Sequence, residues 1–177
     1  DVLGSRGLGD VYKRQELGNA INRQDEATTL LNQLKQAEEA ALANKTEQAP
    51  TVAIIFGAGD NFMLATESSY LGDLAKTLGA INIASEIDTN IESAYIQFSL
   101  EQILAQNPDY VLRFAHGNIE ETSKMFDEAF DKNEAYQQLD AVADGKVYDL
   151  DSTIFNVSAN LKVTEAITKL GEILYGN

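Results

Sequence analysis

Residues 95–117 read YIQFSLEQILAQNPDYVLRFAHG and predict one strand–helix–strand unit. A short apolar strand leads to Ser99, whose hydroxyl is a preferred helix N-cap, and Pro108 stops the helix that follows. The next run, YVLRFA, is almost entirely apolar, as expected of a strand that is buried on both faces. Two such strands joined by a helix favour parallel pairing within one sheet.

The same alternation extends to both sides of this unit. Short runs rich in β-branched and aromatic residues predict further strands at residues 51–56, 81–84 and 146–150. Capped or amphipathic segments predict helices at residues 69–79, 119–132, 133–139 and 162–175. Alternating strands and helices indicate an α/β fold in three layers, a parallel sheet between two layers of helices.

A long helix is predicted before the first strand. Residues 16–47 are rich in Ala, Leu, Gln, Glu and Lys, and their apolar positions recur at spacings of three and four. A helix of this length spans about 45 Å, which is long for one small domain. We expect Pro50 to end it. The sequence therefore divides into a helical segment, residues 16–48, and an α/β domain, residues 50–177.

The first residues carry a different signal. Residues 5–15 read SRGLGDVYKRQ, which is similar to one translated frame of a transposon-based sequencing adapter. We interpret residues 1–15 as an adapter artefact and exclude them from fold reasoning. We expect the native chain to begin near Glu16 and to be truncated upstream. Any signal peptide, lipobox cysteine or N-terminal lobe would then belong to the missing part.

Composition excludes several classes of function. The formal net charge of -15 argues against nucleic acid as a partner, because phosphate binding needs a basic face. This charge fits solubility alone or a meeting with a basic partner surface. The chain has no cysteine and one histidine, His116, which excludes thiolate metal sites and sites built from several histidines. The G-x-S-x-G motif of hydrolases and the phosphate-binding loop motif are also absent.

Candidate binding residues follow the predicted strands. Ligands of α/β sheets bind at the carboxyl ends of strands, which here are the GAGDNF loop at residues 57–62, His116-Gly117 and residues 151–160. The imidazole of His116 could ligate a haem iron, and Gly117 permits a tight turn beside it. The alternative is a hydrogen-bonded surface histidine without a ligand.

Other side chains have two interpretations each. Phe62 could stack on a macrocycle, and Met63 is a soft iron ligand type, but both could be ordinary packing. Tyr95 and Phe155 could line a pocket or belong to the core. Arg113 is a cation within an apolar strand, where it could bind a ligand carboxylate or pair with an acidic neighbour.

Several segments together resemble a known family. TVAIIFGAGDNFMLATESSYLGDLAKTLGAINI, the pattern S-x-E-x-I-L-x-x-x-P-D that begins at Ser99, and GKVYDLD look like the C-terminal half of class III substrate-binding proteins of iron-compound ABC importers. VLRFAHGNIEETSKMFDEAF and ATESSYLGDL are similar to the haem-binding lipoproteins of the iron-regulated surface-determinant (Isd) haem uptake systems of Gram-positive bacteria. The resemblance covers nearly all of residues 16–175.

The resemblance implies an architecture and two roles. The family has two α/β lobes joined by one long helix, so residues 16–48 would be the interlobe helix and residues 50–177 the C-terminal lobe, with the N-terminal lobe missing. His116 would be the axial ligand of the haem iron, and the second ligand, a methionine, would come from the missing lobe. Glu101 would face the permease, where a carboxylate from each lobe meets an arginine.

The implied function is transport. The protein would be extracytoplasmic, either as a lipoprotein held at the cell membrane by a lipid anchor in the missing N-terminal part, or in a periplasm. It would bind haem as its cargo and deliver it to an ABC permease dimer. The alternative within the same fold is a ferric siderophore or a cobalamin, for which His116 need not be a ligand. An enzyme, such as a reductase subunit or a hydrolase, is disfavoured because the chain lacks the cysteines and motifs that these activities need.

Overall fold

The computed structural model describes residues 23–58, 61–87, 93–116, 119–155 and 162–176. Within these ranges, one six-stranded sheet carries helices on both faces, which confirms the predicted three-layer α/β architecture. Residues 1–15, Gly117 and residues 156–160 lie outside the described residues, so the predictions made for them remain predictions. No helix in the described ranges is long and apolar enough to cross a membrane.

The elements are numbered here in chain order. The strands are β1 (Thr51–Ala58), β2 (Asn61–Ala65), β3 (Ile81–Asn82), β4 (Tyr95–Ile96), β5 (Tyr110–Ala115) and β6 (Val147–Asp149). The α-helices are α1 (Gln24–Ala41), α2 (Tyr70–Thr77), α3 (Ala84–Ile87), α4 (Leu100–Gln106), α5 (Ile119–Phe126), α6 (Asp140–Ala143) and α7 (Val163–Tyr175). A π-helical turn, Asp127–Asp131, continues α5, and a 3-10 turn, Tyr136–Gln138, precedes α6.

The sheet is mixed rather than wholly parallel. Its order is β4-β2-β1-β5-β6, and β3 pairs with the start of β1. Strands β3, β1, β5 and β6 are parallel, whereas β2 runs antiparallel to both β1 and β4. The expected all-parallel sheet is therefore wrong on one side. The Asn61–Ala65 segment, predicted to begin as a loop, turns back as a hairpin and satisfies the second half of the β1 edge.

Local end signals of two helices are confirmed. The hydroxyl of Ser69 accepts a hydrogen bond of 3.0 Å from the Gly72 N–H at the start of α2. Gly79 follows that helix with φ of 80°, a conformation that glycine adopts without strain. At α4, Ser99 and Gln102 form a reciprocal capping box.

Helix α1 is shorter than the sequence predicts. Its 18 residues correspond to about 27 Å, and it ends at Ala41, well before Pro50. Residues 16–22 lie outside the described residues. Beyond the helix, the Thr46 hydroxyl donates to the Gln48 carbonyl at 2.6 Å. Such local side-chain bonds compete with helical ones, and here they accompany the turn that leads into β1.

Two apolar clusters cover the two faces of the sheet. Side chains of β1 alternate between them, with Ile54 and Phe56 in one cluster and Ala53 and Ile55 in the other. The first cluster is covered by α1, α2 and α7, and we call this side the α7 face. The second is covered by α3, α4, α5 and α6, and we call it the α5 face. Neighbouring residues at the end of any central strand therefore face different surroundings.

Candidate functional site

The carboxyl ends of β1 and β5 lie side by side. The two strands pair in parallel, with Phe56 opposite Phe114 and Gly57 opposite Ala115. His116 follows directly on β5 and so lies at this edge, where sheets of this class bind their ligands.

The imidazole of His116 is exposed and rests against one aromatic ring. Its plane is nearly perpendicular to the Phe56 ring, at 88°, with 5.3 Å between the ring centroids. Within the described ranges, neither ring nitrogen of His116 takes part in a hydrogen bond or an ion pair. An imidazole with an accessible nitrogen can bind a metal, so the ring is chemically suited to the predicted role.

Phe56 belongs to an aromatic cluster on the α7 face. The centroid of its ring lies 4.9 Å from that of Tyr95 and 5.1 Å from that of Phe114, and these three residues form what we call the aromatic cluster. Met63 pairs opposite Phe56 in β2 and packs, half-buried, against the same apolar core. Phe155 belongs to this core as well, but with 2% exposure it lies beneath the surface rather than on it. His116, Met63 and Phe155 are thus brought to one face.

Phe62 lies on the other face. Its ring packs against Phe126 at 5.3 Å and Phe130 at 4.8 Å, measured between centroids. The reason is the alternation along β2, which sends Met63 to the α7 face and its neighbour to the α5 face. The structure therefore does not bring Phe62 together with His116.

Arg113 also lies on the α5 face, and it is already paired. Its guanidinium donates to both carboxylate oxygens of Asp149, at 2.6 and 2.7 Å, in a bidentate geometry. Asp127 and Asp131 of the π-helical turn approach at 3.1 and 3.6 Å, and the Arg113 side chain is 6% exposed. Of the two interpretations offered by the sequence, pairing with acidic neighbours is the one observed. We therefore correct the assignment of Arg113 to a ligand carboxylate.

The charges around Arg113 perturb one another. Burial opposes the guanidinium charge, but hydrogen bonding to Asp149 and its charge raise the pKa of Arg113 above its ordinary value. Burial raises the pKa of Tyr136 to about 12, against the opposing effect of Arg113. Burial, followed by the charge of Asp127, raises the pKa of Asp131. In the described part of the chain, no group of three or more potential ligand side chains is arranged to hold a metal ion, so this cluster is an ion-pair network.

Glu101 is an exposed carboxylate on the first turn of α4. Hydrogen bonding from its own backbone N–H and from the Ser99 side chain lowers the pKa of Glu101. Such a group stays ionised at neutral pH and is accessible to a basic partner. Its position also agrees with a purely local role at a helix N-terminus.

Two residues that contact the candidate site residues were not predicted from the sequence. Phe56 supports His116, and Asp149 neutralises Arg113. For Phe56 the usable signal was its position as the last apolar residue of the run TVAIIF, level with Phe114 if the two strands pair in parallel. The pairing of Asp149 with Arg113 depends on the register of β5 and β6, which the sequence does not display.

Comparison with known proteins places this architecture among transport proteins. Residues 12–154 match the family model described as periplasmic binding protein. "High-affinity heme uptake system protein IsdE" of Staphylococcus aureus (strain MRSA252) is 36% identical over 163 residues, which cover 90% of this chain and 54% of that protein. The chain thus spans about half the length of the curated relatives that it matches.

Solved structures agree with the fold. An ABC transporter substrate-binding protein from Listeria monocytogenes EGD-e superposes with a TM-score of 0.83 at 33% identity, over 100% of this chain and 68% of that one. S. aureus IsdE complexed with heme superposes with a TM-score of 0.80 at 34% identity, over 96% of this chain and 66% of that one. The resemblance inferred from the sequence is confirmed: the chain belongs to the periplasmic binding protein family and is similar to class III substrate-binding proteins of ABC importers.

Proposed function

We propose that this chain forms the C-terminal half of a haem-binding cleft in an extracytoplasmic substrate-binding protein. The protein would deliver haem to an ABC permease and would catalyse no reaction itself. The observation that carries the proposal is the exposed imidazole of His116 beside the aromatic cluster at the carboxyl edge of the sheet, with ring nitrogens that make no hydrogen bond to any residue that the structure describes. One similar protein, IsdE of S. aureus, is named for heme uptake, at 36% identity, and its solved structure, at 34% identity, has heme bound.

The residues at this edge suit an iron porphyrin. The ring of His116 can supply one axial nitrogen to the iron, as imidazoles do in many haem proteins. Tyr95 and the half-buried Met63 offer an apolar surface on the same face, against which a flat macrocycle can pack. The opposite wall of the cleft and the second axial ligand would come from a second lobe, of the kind that makes up the rest of the longer relatives.

Two further roles belong to this proposal. Helix α1, which packs along α7 through residues such as Leu34 and Ala41, would be the described part of the helix that joins the lobes. Glu101, exposed and ionised, would dock on a basic patch of the permease. The protein would then work outside the cytoplasm, with attachment to the membrane through an N-terminal lipid anchor where the organism uses one.

A haem titration tests the proposal. Ferric haem added to the chain is expected to give the sharp Soret band of an imidazole-ligated haem. His116→Ala should abolish that band and weaken binding by at least roughly tenfold, because the iron loses its protein ligand. Glu172→Ala, an exposed change on α7 close to the amino end of β5, is the matched control and should leave the spectrum unchanged.

Two results would contradict the proposal. One is a His116→Ala protein that binds haem with the unaltered spectrum and affinity. The other is binding of a ferric tris-catecholate probe, but not haem, with no effect of His116→Ala. The second result would identify the siderophore alternative, because a siderophore already saturates its iron and needs no imidazole.

A further inference from the structure

We infer that Phe56 is a positioning residue, which fixes the orientation of the His116 imidazole before the ligand arrives. The inference rests on the proposed haem function and adds to it a second residue that acts through the first. The contact that carries it is the perpendicular packing of the two rings, with 5.3 Å between their centroids. Perpendicular packing of this kind is a preferred arrangement of aromatic pairs.

Phe56 is itself held rigidly. It is 5% exposed, and its ring centroid lies 4.9 Å from that of Tyr95 and 5.1 Å from that of Phe114. Its backbone pairs with Phe114 on one side and with Met63 on the other, so it lies in the interior of the sheet. A side chain enclosed in this way keeps one position, and it restricts the position of a ring that packs against it.

His116, by contrast, has no such enclosure of its own. It is exposed and follows the last residue of β5, beyond the hydrogen-bonded ladder. An exposed histidine ordinarily samples several rotamers, and binding a metal in one of them costs the entropy of the others. A fixed ring at its side reduces that cost and selects one plane for the imidazole. The plane matters because the orientation of an axial imidazole sets its π overlap with the iron orbitals.

The variant Phe56→Leu removes the ring and keeps an apolar side chain. With ferric haem, we expect the affinity to fall roughly threefold to tenfold, as rotamer freedom returns to the imidazole. The electron paramagnetic resonance signal of the ferric haem should broaden or split, because several imidazole orientations coexist. Phe130→Leu is the control, since it makes the same change in the core of the α5 face, away from His116.

The apo chain provides a test that does not depend on haem. His116 is the only histidine in the sequence, so its ring protons give unambiguous nuclear magnetic resonance signals. Wild type should show nuclear Overhauser contacts between these protons and the Phe56 ring, with one dominant χ1 rotamer. Phe56→Leu should show rotamer averaging, whereas Phe130→Leu should not. Phe56→Met, an unbranched replacement, serves if the leucine variant does not fold.

The outcomes separate the inference from the proposed function. Unchanged rotamers and an unchanged haem signal in Phe56→Leu would overturn the inference and leave haem binding by His116 intact. Failure of wild type to bind haem, together with rotamer averaging in Phe56→Leu, would overturn the proposed function and keep Phe56 as the residue that orders the imidazole. Absence of the ring–ring contact in wild type would overturn the inference directly.

Discussion

Arg113 shows how a single charged residue is accommodated within an apolar strand. Its neighbours in β5 are buried, yet the register of β5 and β6 brings Asp149 directly beside it. Ser123 donates a further hydrogen bond of 2.7 Å to the same carboxylate. A buried charge with this many partners is tolerated, whereas the loss of one partner leaves a group that water cannot reach.

Asp149→Asn is therefore expected to destabilise the fold. Arg113 would keep only Asp127 and Asp131, which are about half exposed. We expect the free energy of unfolding to fall by about 3 kcal/mol, measured by urea denaturation. The double variant Arg113→Met with Asp149→Leu should recover most of this loss, since it removes the charge that was left unpaired. A loss for Asp149→Asn below about 0.5 kcal/mol would show that the pair is not buried in solution.

Asp131 gives a pH-dependent prediction. Burial and the charge of Asp127 raise its pKa, so the folded protein binds this proton at a higher pH than the unfolded chain does. Stability should therefore rise through this group as the pH falls through its folded pKa toward the ordinary value for aspartate. Asparagine carries no charge, so Asp131→Asn should be more stable than wild type at pH 7 and should not gain stability through this group at lower pH. The difference in the free energy of unfolding between the two proteins should therefore shrink between pH 7 and pH 4.

Glu101→Gln provides the opposite sign for comparison. The pKa of Glu101 is lowered by hydrogen bonding to its own backbone N–H and to Ser99, so its contribution to stability is present at neutral pH and is lost as the pH falls through the folded pKa. Thermal or urea unfolding of both variants across the pH range measures the two slopes. Slopes of the same sign would contradict the account of one group or the other.

Among the elements, those with local causes were predictable from the sequence. The capped starts of α2 and α4 follow from Ser69 and Ser99, and their end signals lie within a few residues. The bounds of β5 also agree with the prediction, because a fully buried strand is a continuous apolar run. These elements depend on interactions within one short segment, which a sequence displays.

Other elements depend on distant partners and were not predicted. Strand β2 forms because it pairs with the second half of β1, from Ile55 to Ala58. The sequence at its start, Asn61-Phe62, resembles a loop and does not predict a strand. The helix predicted at residues 119–132 changes to a π-helical turn at Asp127, where two carboxylates approach Arg113. After a π-helical turn, a given face of the helix presents different residues from those that a regular α-helix would place there. The approach of the two carboxylates to Arg113 therefore follows from tertiary contacts rather than from helical periodicity.

The contact between α1 and α7 gives a prediction at this scale. A Cβ atom on Gly171 would lie 2.5 Å from the Cβ of Ala41 and 3.0 Å from its Cα, closer than side chains pack. Gly171→Ala should force the two helices apart and lower the free energy of unfolding by about 1–3 kcal/mol. Glu172→Ala, on the exposed side of the same helix, should change it by less than about 0.5 kcal/mol.

A gain in stability for Gly171→Ala would contradict this packing. Alanine favours the helical state more than glycine does, so a stabilising effect means that the close approach is absent. Thermal unfolding followed by circular dichroism distinguishes the two outcomes.

For the whole molecule, the fold class was predictable and the composition of the site was predictable in part. His116 lies at a strand end, which the order of elements places at the ligand-binding edge. Side chains along a strand point alternately to the two faces of the sheet. Whether Phe62, Met63 or Arg113 lies on the same face as His116 therefore depends on which of the alternate positions each residue occupies in its strand. These positions are fixed by where β2 begins and how β1 and β5 align, and both are properties of the assembled sheet.

The same dependence on strand register explains why the sequence does not predict the contact between Phe56 and His116. Phe56 and His116 are far apart in the sequence and meet only when β1 and β5 pair in register. Its burial also makes Phe56 look like a core residue, which it is. A residue can be part of the core and still contact an exposed side chain at the edge of the sheet.

We propose that the one histidine of the sequence ligates the iron of a haem. In the deciding experiment, the chain is labelled with ¹⁵N-histidine and loaded with ferric haem, and the nitrogen hyperfine couplings of the ferric haem signal are recorded by pulsed electron paramagnetic resonance. Because His116 is the only histidine, any ¹⁵N coupling identifies its ring without further assignment. We predict a strong ¹⁵N coupling from one imidazole. A haem-loaded sample that shows only the ¹⁴N couplings of the porphyrin would contradict ligation of the iron by His116.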